Sequence, residues 1–300
     1  MMKTKPAVRK GLRNSVEWGM HFLFLFCGVV AIAFVLVISV YLIISGLPAI
    51  QEVGLKEFLL GTEWASTHKT DPKFGILPFI LTSIYGTAGA IVIGVPIGFL
   101  TAVFLAKVAP PKLAAVVRPA VDLLAGIPSV VYGLVGMIVL VPAIRTAFDL
   151  PAGDSLLAAM IVLAVMILPS IISVSETALK AVPREYEEAS LALGATELET
   201  YFRVSAPAAK SGIAAAVVLG VGRAIGEAMA ILMVAGNAAN MPSLLSSVKF
   251  LTTAIASEMS YAQVGSLQRN ALFSIGLVLF LFIMAINVLL NLILKRNKEG

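Results

Sequence analysis

SGIAAAVVLGVGRAIGEAMAILMVA, residues 211–235, is a run of 25 residues in which only Arg223 and Glu227 are charged. A stretch of about 20 apolar residues in a helix is long enough to cross a bilayer. Read as one continuous helix, it places Arg223 at the centre of the membrane, where a charge costs roughly 3 kcal/mol on insertion scales. The segment therefore decides two things together. The chain is membrane-embedded, and its interior holds a charged pair that must face water, a partner or each other.

Composition agrees. The 300 residues are 59% hydrophobic and 13% charged, with mean hydropathy +0.97, whereas soluble domains run near one quarter charged. Five further stretches match the first: about Met20–Ile44, Phe74–Ala106 without a charge and with Pro78 and Pro96 inside it, Pro119–Ile144 with only Asp122, and the charge-free Ser155–Ser175 and Asn270–Leu294. The fold class expected is all-α, with six transmembrane helices. The basic N-terminus resembles the start of a signal peptide, but the apolar stretch after it is too long for a cleaved segment and reads as a retained helix.

Lys and Arg set the orientation. Fifteen of the 22 fall on one set of flanks: Lys3, Lys5, Arg9, Lys10 and Arg13; Lys107, Lys112 and Arg118; Lys180, Arg184, Arg203 and Lys210; Lys295, Arg296 and Lys298. Six fall opposite: Lys56, Lys69, Lys73, Arg145, Lys249 and Arg269. Both termini and the loop of residues 176–210 are thus expected in the cytoplasm. The organisation expected is a cytoplasmic segment 1–19, a first transmembrane helix 20–44, an external loop 45–75 with Trp64 at interfacial depth, a core 76–294 that includes a cytoplasmic loop 182–207, and a tail 295–300. Within residues 236–269, LLSSVKFLTTAIASEM is too short and too charged to span and fits an interfacial or re-entrant helix. Pro96, Pro128, Pro142 and Pro169 imply broken or kinked helices.

Several chemistries lack their residues. No G-x-x-x-x-G-K-[ST] phosphate cradle and no H-E-x-x-H is present, His21 and His68 are far apart, and the single Cys27 permits neither an intrachain disulfide nor a multi-cysteine metal site. Asp149 and Asp154 lie outside the spans, and Asp122 is placed to serve the start of its helix or to pair with Arg118. An enzyme is not expected, and no metal site.

The loop VPREYEEASLALGATELETYFRVSAP, residues 182–207, has a design of its own. Pro183 suits a first helical position and Gly194 a left-handed helix end, while Thr196 and Glu199 form a capping box for a second short helix. Glu188-Ala189-Ser190, three residues, Gly194, nine residues and Val204-x-Ala206-Pro207 resemble the E-A-A-x3-G-x9-I-x-L-P loop of bacterial ABC importer permeases, with Ser190, Val204 and Ala206 as departures. The external FLLGTEW…FGILPF, GIPSVVYGL of residues 126–134 and GRAIGEAMAILMVAGN of 222–237 extend the resemblance to the phosphate-specific permeases of the PstC type.

That resemblance implies a type I ABC importer permease fold in the bacterial inner membrane. It implies a heterodimeric channel with a sister permease (PstA-like), an ATPase dimer (PstB-like) that binds ATP and Mg, and an extracytoplasmic phosphate-binding protein (PstS-like). Glu188, Ala189, Gly194 and Pro207 would then belong to the loop that couples to the ATPase. Sulfate, molybdate and phosphonate importers share the coupling motif, so the substrate stays open among oxyanions. An ion-coupled transporter with Glu227 as proton carrier and a non-transporting scaffold are the competing classes. For the substrate path, Arg223 and Glu227 are read either as a self-neutralising structural pair or as an anion-holding group and its restraint. Ser129 and Tyr132, after a helix break at Gly126 and Pro128, are read either as core or as hydroxyls offered to the anion.

Overall fold

The computed structural model describes residues 8–68 and 70–296 of the chain, so Lys3, Lys5, Lys69 and Lys298 of the flanks counted above lie outside the described residues. The first helix, α1 (Val8–Val53), is followed by short α2 (Leu55–Leu60) and an antiparallel hairpin of β1 (Trp64–Ala65) and β2 (Lys73–Phe74). Next come α3 (Leu77–Val103), α4 (Pro111–Gly126), α5 (Ser129–Val135), α6 (Val141–Ala147) and α7 (Leu156–Lys180). The loop contributes α8 (Arg184–Ala192), α9 (Glu197–Thr200) and α10 (Ala206–Ala208). The chain ends with α11 (Lys210–Gly226), α12 (Met229–Val234), α13 (Leu251–Glu258) and α14 (Leu267–Arg296).

Among the described residues, five helical stretches are long and apolar enough to cross a membrane: Glu17–Val53, Leu77–Val108, Ser129–Ala147, Leu156–Lys180 and Leu267–Leu289. Glu197–Ala208 with Lys210–Gly226, bent by 74°, supplies a sixth. The six-helix reading holds, but the spans are not six plain rods. Residues 211–235 do not form one helix: α11 stops at Gly226, Glu227 is extended at φ −73°, ψ 131°, and α12 starts two residues later. Arg223 thus lies in the last turn of a helix and not at the centre of one. The third span breaks in the same way, at extended Ile127 and Pro128 between α4 and α5, as its glycine and proline suggest. The helices α3 and α7, by contrast, run on through Pro96 and Pro169.

Three other prolines have a common effect. Phe104–Val108, Gly136–Leu140 and Tyr201–Ser205 are wide turns, each ending two residues before Pro110, Pro142 or Pro207. Proline has no N–H to give and its ring collides with the carbonyl four residues back. In each case the residue before the proline bonds five residues back instead: Ala109 to Phe104, Val141 to Gly136 and Ala206 to Tyr201. The shift frees a carbonyl one residue on, and the Arg118 guanidinium fills one of these, donating to Leu105 O at 3.0 Å.

Helix α7 is the centre of the bundle. Glycines let backbones approach it: a Cβ on Gly94 or Gly98 of α3 would lie 2.9 Å from Ile167 or 2.8 Å from Ile171. Such small-residue contacts replace hydrophobic driving force where lipid is the solvent. Helix α1 packs on α14 through Gly46, whose carbonyl accepts from the Ser274 hydroxyl at 2.5 Å. A second core gathers Phe58, Phe74, Ile76, Phe79, Leu251 and Leu272 around the hairpin. There buried Glu258 accepts from Lys249 Nζ at 2.7 Å, Trp64 Nε1 at 3.0 Å and Ser66 Oγ at 3.0 Å. Trp64 is therefore held by a carboxylate and by edge contacts with Phe74 and Phe79, not by a membrane interface alone. Helix α13 is the segment expected to be interfacial or re-entrant, and it is packed inside, with Leu251, Thr252, Thr253, Ala254 and Glu258 buried.

Candidate functional site

The two helix breaks meet. Helices α5 and α12 pack so closely that a Cβ on Gly133 would stand 2.9 Å from the backbone of Ala230. Interrupted helices in a membrane expose backbone groups that need partners, and here side chains supply them. The Glu227 carboxylate accepts from the Ala230 N–H at 2.9 Å, and the Glu227 carbonyl accepts from the Thr252 hydroxyl at 2.7 Å. The Tyr132 hydroxyl donates to Leu124 O at 2.7 Å across the other break. Ser129 is half-buried at the start of α5, and its hydroxyl has no hydrogen-bond partner among the described residues.

Arg223 does not pair with Glu227; no ion pair between them occurs among the described residues. The i, i+4 pairing drawn from a continuous helix fails because the chain turns away at Glu227, whose carboxylate caps α12 instead. The Arg223 guanidinium makes one long contact, 3.5 Å from its Nη1 to Ser170 Oγ of α7. The structure thus brings Arg223 to Ser170 and leaves its planar fork of donors largely uncommitted. A recess of about 430 Å³ that Tyr132 borders is walled by Leu124, Ile127, Val131, Val139 and Ile161. Its apolar wall suits a packed side chain and not an anion.

Asp122 does not pair with Arg118 either. Arg118 Nε meets Glu176 of α7 at 2.6 Å, and Lys180 meets the same carboxylate at 2.6 Å. Both missed pairings were local guesses at i, i+4, and both lost to a partner on another helix.

The loop forms as its motifs require. Helix α8 ends at Ala192 with Leu193 as its cap, and Gly194 takes φ +87°, a left-handed turn open to solvent. Thr196 N–H donates to Glu199 Oε2 at 3.1 Å and Glu199 N–H to Thr196 Oγ1 at 3.3 Å, completing the capping box. Pro183 sits one place earlier than expected, just ahead of the first helical residue. Glu188, Ala189, Gly194 and Pro207 are all exposed. Leu193 is 90% and Leu198 63% exposed, an apolar tip on a polar knob. Ser190, where the motif has alanine, shares a 2.9 Å hydrogen bond with Thr200 and so ties α8 to α9.

Sequence reasoning missed the inward side of this knob. Glu187 turns into the bundle, 2.5 Å from Lys107 Nζ and 2.7 Å from Ser205 Oγ. The only available signal was that Lys107 and the loop fall on the same set of flanks.

The family model for the binding-protein-dependent transport system inner membrane component matches residues 94–299. The chain belongs to that family. Among relatives, a protein called probable ABC transporter permease protein YqgH from Bacillus subtilis (strain 168) is 43% identical over 270 residues, covering 88% of this chain and 87% of the relative. The phosphate transport system permease protein PstC of Xylella fastidiosa (strain 9a5c) is 36% identical over 296 residues, 90% of each chain. A probable PstC of Methanocaldococcus jannaschii is 31% identical over 291 residues, 90% of this chain and 91% of that one. A chain of the MetNI methionine ABC transporter, solved in inward-facing conformations, superposes with TM-score 0.55 at 22% identity, covering 74% of this permease and 94% of that chain. The fold is therefore that of a type I ABC importer permease, a multi-pass component of the inner membrane.

Proposed function

We propose that this permease forms, with a sister permease (PstA-like), the membrane pathway of an ATP-driven importer for inorganic phosphate. The observation that carries the reading is the doubly capped knob of residues 184–207, which projects an exposed apolar tip at the opposite end of α11 from Arg223. A chain with no nucleotide cradle of its own needs such a surface if another subunit is to drive it. ATP and Mg are bound, and ATP is hydrolysed, by an ATPase pair (PstB-like) docked on the knob from the cytoplasm. An extracytoplasmic phosphate-binding protein (PstS-like) delivers the substrate on the opposite side. This places both chain termini in the cytoplasm, in keeping with the Lys and Arg bias.

Phosphate rests on the names of the relatives, which align over nearly the whole chain, and on the chemistry of Arg223. A guanidinium fork matches two phosphate oxygens, and among the described residues Arg223 is not neutralised by Glu227. Ser129, without a hydrogen-bond partner among the described residues at the break between α4 and α5, is a second hydroxyl free to assist. The test is uptake of radiolabelled phosphate by cells lacking their own importers and supplied with this chain and its partners. Uptake that follows ATP and ignores collapse of the proton gradient supports the reading. Equal uptake of sulfate, or dependence on the gradient, refutes it.

A further inference from the structure

We infer that Glu187 is a positioning residue for transport: it carries movement of the docking knob to α11, the helix whose far end bears Arg223. The inference rests on the proposed docking of an ATPase on the knob. It goes further by naming the connection.

Helix α8 carries three acidic residues, Glu185, Glu187 and Glu188. Glu185 and Glu188 are exposed, and Glu187 alone of the three points inward. Its side chain is 18% exposed and that of its partner Lys107 11% exposed. Ser205, the second partner, is fully buried. Lys107 lies in the wide turn that ends α3, and Ser205 closes the wide turn that leads through α10 into α11. One carboxylate oxygen thus receives both donors, and it joins α8 to two transmembrane helices far apart in sequence. The Tyr201 hydroxyl adds a weaker link, donating to Lys107 O at 3.4 Å.

The physics of this junction makes it stiff. Separating a mostly buried ion pair strands a charge away from water, which costs far more than the pair contributes when made. Helix α8 therefore does not slide on its neighbours; when the knob moves, the ends of α3 and α11 move with it. Ser205 stands four residues ahead of Ala209, where the chain bends by 74° into α11, and a helix of 17 residues is about 25 Å long, so a shift at this bend is carried along α11 to its last turn, where Arg223 lies. The exposed Glu188 and Leu193 offer no such route: among the described residues Glu188 makes no hydrogen bond or ion pair, and the Leu193 side chain is almost wholly exposed. Their place is at the docking surface, while Glu187 acts behind it.

The experiment uses the full complex in proteoliposomes, with phosphate uptake and ATP hydrolysis measured in the same preparation. Glu187→Gln is expected to keep the ATPase bound and hydrolysing, while phosphate moved per ATP falls about tenfold, a typical size for a lost coupling. Lys107→Glu combined with Glu187→Lys restores the pair in reverse and should recover most of the ratio. Ser205→Ala, a mild change that leaves the ion pair, should lower the ratio about threefold and serves if Glu187→Gln fails to assemble. An unchanged ratio in Ser205→Ala and Glu187→Gln overturns the inference. So does loss of ATPase binding in step with loss of uptake, or a reversed pair that recovers nothing. Failure of the functional reading is distinct: the unaltered complex would then show no ATP-driven phosphate uptake at all.

Discussion

The carboxylate of Glu227 caps the Ala230 N–H at 2.9 Å, and in doing so it leaves Arg223 without an acidic partner four residues away. The opening of α12 and the availability of Arg223 are thus one structural event. Glu227→Gln keeps an amide oxygen for the cap and should leave the break intact. Glu227→Ala removes it and should cost about 1 kcal/mol, the usual value of a lost helix cap. Thermal unfolding of the purified permease in detergent separates the two, with the alanine variant alone shifted.

Arg223→Gln is expected to cut phosphate uptake at least about 30-fold with the complex still assembled, the scale seen when a buried charged contact to an anion is removed. If Arg223 and Glu227 were a structural pair, the double variant Arg223→Gln, Glu227→Gln would transport normally. Measuring uptake in the two singles and the double decides between these outcomes. Recovery in the double would retire the substrate role of Arg223.

Gly194→Val places a β-branched residue at φ +87°. The left-handed region costs such a residue about 1–2 kcal/mol, and the turn between α8 and α9 should distort. Co-purification of the ATPase and phosphate uptake should fall together. An alanine at the same place should do less of both.

Ser129→Ala and Tyr132→Phe should behave differently from each other. Tyr132 spends its proton on Leu124 O across a helix break, so its loss is expected to lower stability. Ser129 is unpaired among the described residues, and its loss should raise the KM for phosphate with little effect on folding. A normal KM for Ser129→Ala would assign this serine to packing.

The knob should also respond to acid in a defined direction. Burial lifts the Glu187 carboxyl, but hydrogen bonds from Lys107 and Ser205 and the charges of Lys107 and Arg184 more than reverse this, so it titrates below its ordinary value. Its contribution to anchoring is therefore complete above the ordinary carboxylate range, roughly pH 4, and is lost as pH falls through the lowered value. In Lys107→Gln the loss should begin at higher pH. Hydrogen exchange of α8 amides against pH reads this directly.

The number of spans, the capped knob and the break at Gly126 and Pro128 were legible in the sequence because each depends on residues close in the chain. A charge-free run of 25 residues such as 270–294, a Thr-x-x-Glu box and a glycine at a helix end act through neighbours, and neighbours are written side by side. The same locality misled where charges were concerned. Arg118 with Asp122, and Arg223 with Glu227, looked like helix-face pairs, yet Arg118 found Glu176 and Glu227 found the backbone of Ala230.

What the sequence by itself determined was a polytopic membrane protein with one exposed, doubly capped loop and two costly charges inside. Only the tertiary structure decided where those charges point, which acidic residue of α8 turns inward, and that two broken helices meet at Gly133 and Ala230. The reason is energetic. In the interior of a bundle a buried charge takes whichever partner best offsets its lost hydration, and that partner is chosen by packing between helices distant in sequence, as Lys107 and Ser205 are for Glu187.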